Sequence, residues 1–138
     1  MKNSLLVLFL MYNLTSCSQA YDIAGVYTAK YGLIQYQLTL HGDRTFIFNS
    51  YNKYNAGTPP EPSISGRGTW EAKKNMILFA TDPEQDLDHT YRLIFNNSRA
   101  MLKRESPENQ ADDTVVNRLT FLESDIFWVK GIELVKKK

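Results

Sequence analysis

The chain has 138 residues, room for one domain built around a single small core. Its 16 basic and 15 acidic side chains nearly cancel, which excludes a nucleic-acid binder working through a general positive field and an acidic solvating tail. The aromatics are plentiful, with 8 Tyr and 7 Phe, residues that suit pleated, half-buried surfaces.

In chain order the first element is a leader. Lys2 supplies a positive n-region and residues 5–12 a short apolar h-region. That run is too short for a membrane-spanning helix, which needs about 20 apolar residues, but it suits a signal peptide. Leu14-Thr15-Ser16-Cys17 then resembles the lipobox of bacterial lipoproteins: an aliphatic residue, two small ones and a cysteine. The resemblance implies that residues 1–16 are removed, that Cys17 carries the lipid, and that residues 17–20 form a short linker. Each acyl CH₂ buried in the bilayer adds about 0.8 kcal/mol, so two or three chains anchor firmly. Ser18, in place of the Asp that retains lipoproteins in the inner membrane of enteric bacteria, points this resemblance to the outer membrane. The competing reading is ordinary secretion into the periplasm or medium, with cleavage after Ala20. Cys17 is the one cysteine in the chain, so a disulfide within the folded domain is excluded.

From Tyr21 the pattern becomes short alternating runs between turn signals. A first strand lies near Gly25-Val26-Tyr27. Residues 34–40 alternate cleanly, His41-Gly42-Asp43 turns, and residues 44–51 return with Phe46 and Phe48 on one face. Residues 52–62 form a polar loop whose prolines bar a central strand. Residues 64–73 and 76–81 pair around Lys74-Asn75. After the acidic stretch 82–88, residues 90–96 carry Tyr91, Leu93 and Phe95 on one face, and Asn97-Ser98 makes a hairpin turn into residues 100–104. A second polar loop, 106–113, precedes strands 115–123 and 127–135, which turn at Ser124-Asp125; Gly131 predicts a bulge. The expectation is an all-β fold of eight or nine strands over residues 21–135, with 136–138 a solvated basic tail. A small antiparallel up-and-down barrel, which leaves no open edges, comes before a two-sheet sandwich. Phe46, Phe48, Trp70, Phe79, Phe95 and Phe121 predict an interior filled by the protein's own rings.

Gly25-Val26-Tyr27, Leu38-Thr39-Leu40-His41-Gly42-Asp43-Arg44-Thr45-Phe46, Gly66-Arg67-Gly68-Thr69-Trp70 and Met76-Ile77-Leu78 together resemble the lipocalin-like small lipoproteins. The resemblance covers most of the mature chain and implies their barrel. Two departures stand out: Gly42 precedes Asp43 instead of following it, and Tyr27 stands where true lipocalins keep Trp.

Few residues present themselves for chemistry. Asp82, Glu84, Asp86 and Asp88 alternate like the first ligands of a calcium loop, but Leu87 and Leu93 stand where that loop needs Gly and Glu. His89 beside them is the one local hint of a metal site. No nucleophile elbow and no H-E-x-x-H occurs. Tyr51 and Tyr54, bordering the Pro-rich loop, and Trp70 are the aromatics that would grip a partner or glycan. The function these residues suggest is a non-enzymatic binding or scaffold module without a cofactor, lipid-anchored in the cell envelope. Its partner would be an envelope protein, a glycan or a small apolar molecule, not nucleic acid. Alternatives are a carrier in the barrel mouth, a hydrolase inhibitor, and an envelope enzyme or metal protein using His89 and the acidic loop.

Overall fold

A computed structural model of the protein describes residues 23–52, 62–105 and 115–138. Nine strands are present among them: β1 (Gly25–Tyr31), β2 (Ile34–Leu40), β3 (Thr45–Asn52), β4 (Ile64–Lys73), β5 (Met76–Ala80), β6 (Tyr91–Leu93), β7 (Ser98–Glu105), β8 (Val116–Glu123) and β9 (Glu133–Lys136). Eight close into an antiparallel barrel in the order β1-β2-β3-β4-β5-β7-β8-β9, with β9 returning to β1. The up-and-down barrel is therefore the fold, and the sandwich alternative falls.

Two-residue periodicity decides which face is buried. On β2, Tyr36, Leu38 and Leu40 point inward while Gln35, Gln37 and Thr39 are half-exposed; on β3, Phe46 and Phe48 face them. The register places Leu38 opposite Phe48 and Leu40 opposite Phe46, so both hydrophobic sets share the interior. Tyr27 is fully buried on β1, and its hydroxyl donates to the Ile23 carbonyl at 2.6 Å, which satisfies the one polar atom the ring brings inside.

Three elements differ from expectation. The stretch 90–96 yields only the three-residue β6, which runs parallel to β4 beside Ser65 and Gly66. It takes the place along β4 that β5 leaves, because β5 pairs only with residues 69–73 of that strand. The turn at Asn96 and Asn97 is tight, Asn97 having φ 62°, but β6 and β7 do not form a hairpin; β7 pairs with β5 and β8. Turn chemistry predicted the reversal correctly and the partner wrongly.

The last predicted strand is shorter too. Residues 124–132 form successive turns, with the Val129 N–H donating to Ile126 O and the Ile132 N–H to Val129 O. The bulge at Gly131 is real. Its N–H donates to Phe121 O while the Phe121 N–H donates to Ile132 O, so two residues oppose one, and Gly131 adopts the φ of 93° that such a bulge needs. Finally, β9 runs into the expected tail: Lys136 pairs with Tyr27 and the Lys137 N–H donates to Val26 O.

Phe95 fills the centre of the barrel. Its ring lies 5.2 Å from Phe46, 5.1 Å from Phe48, 6.2 Å from Phe79 and 6.3 Å from Phe121, centroid to centroid. Gly66 of β4 makes room for it, and Gly68 on the same strand admits the close approach of β5. A Cβ on Gly66 would stand 2.7 Å from the Phe95 ring and 2.8 Å from Leu93 Cβ, and one on Gly68 would collide with the Ala80 carbonyl oxygen. All six of the large aromatics named for the interior, Phe46, Phe48, Trp70, Phe79, Phe95 and Phe121, are buried.

Candidate functional site

The register sorts the connections onto two poles. Ile23, the β2–β3 turn at residues 41–44, the β4–β5 turn at Lys74-Asn75 and the C-terminal residues lie at one end. The β1–β2 turn, the β3 end, the β4 start and the 124–132 loop lie at the other. The described chain therefore enters at the first pole, and the second is distal to it.

At the distal pole the start of β4 and the residues leading into β6 enclose a cleft of about 360 Å³, lined chiefly by Ser63, Ile64, Ser65, His89, Thr90 and Arg92. Parallel pairing of Ser65 with Tyr91 brings these two segments together. Asp88 organises one wall. Its Oδ1 accepts the Thr90 and Tyr91 N–H groups, each at 2.8 Å, and its Oδ2 accepts from Arg67 Nη2 at 3.3 Å. The two backbone bonds, with the Arg67 charge behind them, hold the Asp88 carboxyl below its ordinary value. Arg67 also donates through Nε to Asp86 O and lies 4.3 Å above the Tyr91 ring, so it is committed to structure. Ser65, buried, donates to Asn49 Oδ1 at 2.6 Å and ties the cleft floor to β3. The Arg92 Nε donates to His89 O at 3.3 Å, and this residue is exposed.

Tyr51 stands beside this cleft. It shares the outer face of β3 with Asn49, and the preceding residue, Ser50, accepts the Ser63 N–H through its carbonyl at 2.7 Å. Tyr54, its companion in the sequence reading, lies outside the described residues, as does Cys17. Trp70 is separated from them. It belongs to the opposite pole, is 2 % exposed, donates from Nε1 to His41 O at 3.0 Å, and has the Arg44 guanidinium 5.7 Å from its ring. Its ring is a strut between β4 and the β2–β3 turn and offers no platform to a ligand.

Around the barrel from the cleft, the distal pole carries an apolar lip. Tyr31, Leu33 and Ile34 sit at the β1–β2 turn, and Phe127 is 86 % exposed on the 124–132 loop. The two pieces are joined: Tyr31 Oη accepts the Glu133 N–H at 3.0 Å, and Tyr36 packs against Tyr31 at 6.0 Å and stacks on Trp128 at 5.9 Å. Burial, and secondarily Tyr31, raise the Tyr36 hydroxyl pKa. Sequence reasoning missed this lip because Phe127 was assigned to a strand, where alternation would have turned it inward or paired it. The Ser124 side chain, accepting the Ile126 N–H at 3.1 Å, is the local signal for a loop.

The residues named for a metal do not converge. The other histidine of the chain, His41, lies at the first pole and His89 at the distal one, and among the described residues no group of three or more His, Cys, Asp or Glu side chains is placed to hold an ion. The acidic loop uses its carboxylates on itself: Asp82 Oδ1 accepts the Glu84 N–H and Asp86 Oδ2 accepts the Asp82 N–H. Comparison with protein-family models, with curated proteins and with solved structures returns no match.

Proposed function

We propose that this protein is a non-enzymatic binding module of the bacterial cell envelope, held to the outer membrane by lipid on Cys17. It would engage a partner through the outer surface of its distal pole. The observation that carries this reading is the location of unoccupied surface. The barrel interior is taken by Phe95 and the rings around it, whereas the cleft, Tyr51 and the apolar lip all lie on the end away from the entering chain. Aromatic side chains on loops held by a rigid barrel are what a recognition surface needs. Trp128 packs at the distal end of the barrel against Tyr36 and Phe48, which favours the outer surface over a barrel-mouth carrier. A hydrolase inhibitor would use that same surface and is a special case of the reading.

The test is co-purification from native membranes. The wild type and a Lys74→Ala variant, altered at the first pole, should recover the same envelope component. Tyr51→Ala and Phe127→Ser should recover it several-fold less. Recovery unaffected by the distal substitutions, or no reproducible partner for the wild type, would contradict the proposal.

A further inference from the structure

The distal cleft has one donor-only, permanently charged side chain, Arg92, among its described lining residues. Among the described residues its lining includes Ser63, Ser65, Thr90, His89 and Arg92, and no Asp or Glu is among them. Asp88, next in sequence to the lining His89, already has partners on both oxygens. Two backbone N–H groups occupy Oδ1, and Arg67 occupies Oδ2. Arg67 is itself held by the Asp86 carbonyl and the Tyr91 ring. Arg92, by contrast, spends only Nε, on the carbonyl of His89, and keeps its two terminal nitrogens for a ligand; a guanidinium is donor-only. The acidic side chains Asp82, Glu84 and Asp86 are not among the lining residues.

From these contacts we infer that the cleft binds an oxyanion, a phosphate or a carboxylate, with Arg92 as its charged contact and the Thr90 and Ser63 hydroxyls as neutral donors. The reasoning is one of complement. Hydroxyls can turn to donate, and the Arg92 guanidinium can only donate, so a group that only accepts satisfies both; planar or tetrahedral oxyanions match a guanidinium fork. The walls are fixed in advance: Asp88 pins the Thr90 and Tyr91 amides, and Ser65 is tied to Asn49. This inference rests on the outer-surface reading above and narrows it to a ligand class; it covers both a phosphorylated ligand and an acidic saccharide.

The experiment titrates the detergent-purified, ¹⁵N-labelled full chain with inorganic phosphate, with glucuronate, and with glucose as the neutral counterpart of glucuronate, all at constant sodium chloride. Phosphate, glucuronate or both should shift the amides of Ser63, Ser65, Thr90 and Arg92 and saturate; a response to one alone identifies the source. Arg92→Gln should weaken binding about tenfold, and Thr90→Ala less, with amide positions elsewhere unchanged. If glucose shifts the same amides at the same concentrations as glucuronate, the oxyanion assignment is overturned while the outer surface remains a binding site. If neither anion shifts them, or Arg92→Gln binds as the wild type does, the assignment is also overturned, and the co-purification result alone then decides the broader reading.

Discussion

At the scale of single residues, a few side chains hold positions that their chemistry only partly suits. Lys74 begins the two-residue β4–β5 turn with φ 57°, where a turn of this class prefers glycine. Lys74→Gly should therefore stabilise the fold by about 0.5–1 kcal/mol, read as a higher urea midpoint with an unchanged slope. Tyr27→Phe should cost about 1–2 kcal/mol, because it strips the buried Ile23 carbonyl of its donor. Two carboxyls shape the acid response. The Thr45 hydroxyl and backbone N–H hold Asp43 below its ordinary 3.8, and the Tyr91 and Thr90 amides do the same for Asp88. A carboxyl lowered on folding contributes stability that is complete above its unfolded pKa and is lost as pH falls through the lower folded value. Asp43→Asn and Asp88→Asn should thus flatten the loss of stability below pH 3.8, measured by unfolding midpoints across acid pH. Inward residues such as Leu38, Phe46 and Phe48 were legible in the sequence because a period of two leaves no choice of face once one side is buried. Trp70 was not: nothing local says that its Nε1 reaches the His41 carbonyl on another strand.

At the scale of elements, the meander was readable and its one interruption was not. Seven strands and their turns follow from alternation punctuated by Gly, Pro, Asn and Asp. The parallel pairing of β6 with β4 has no local signature, since it depends on β5 ending at Ala80 and leaving the first half of β4 unpaired on that side. The candidate cleft was hidden for the same reason: Ser63–Ser65 and His89–Arg92 meet only through that pairing. The insertion carries energetic weight, because it delivers Phe95 to the barrel centre. Phe95→Ala should destabilise by about 3–5 kcal/mol and leave an apolar cavity among Phe46, Phe48, Phe79 and Phe121. Xenon or benzene should then raise the melting temperature of the variant and not that of the wild type. Gly68→Ala should fail differently, by about 3 kcal/mol and without ligand rescue, since its methyl meets the Ala80 carbonyl.

At the scale of the whole molecule, the barrel is polar in its organisation. One end receives the chain and is braced by Trp70 and the β2–β3 turn; the other gathers the cleft, Tyr51, Tyr36 with Trp128, and the exposed Phe127. Such an arrangement suits a protein tethered by its N-terminus that works with its far end. Barrel class was legible because hairpin-linked strands must dispose of their edges; the cleft and lip of the distal end were not, because they are assembled from loops that meet only in three dimensions. The central claim is the tether, and fatty-acid labelling with membrane fractionation tests it most directly. The account predicts that the wild type incorporates labelled fatty acid and sediments with membranes, and that Cys17→Ala loses the label and leaves the membrane fraction. A wild type that takes up no label, with a Cys17→Ala variant that stays membrane-bound, would contradict it.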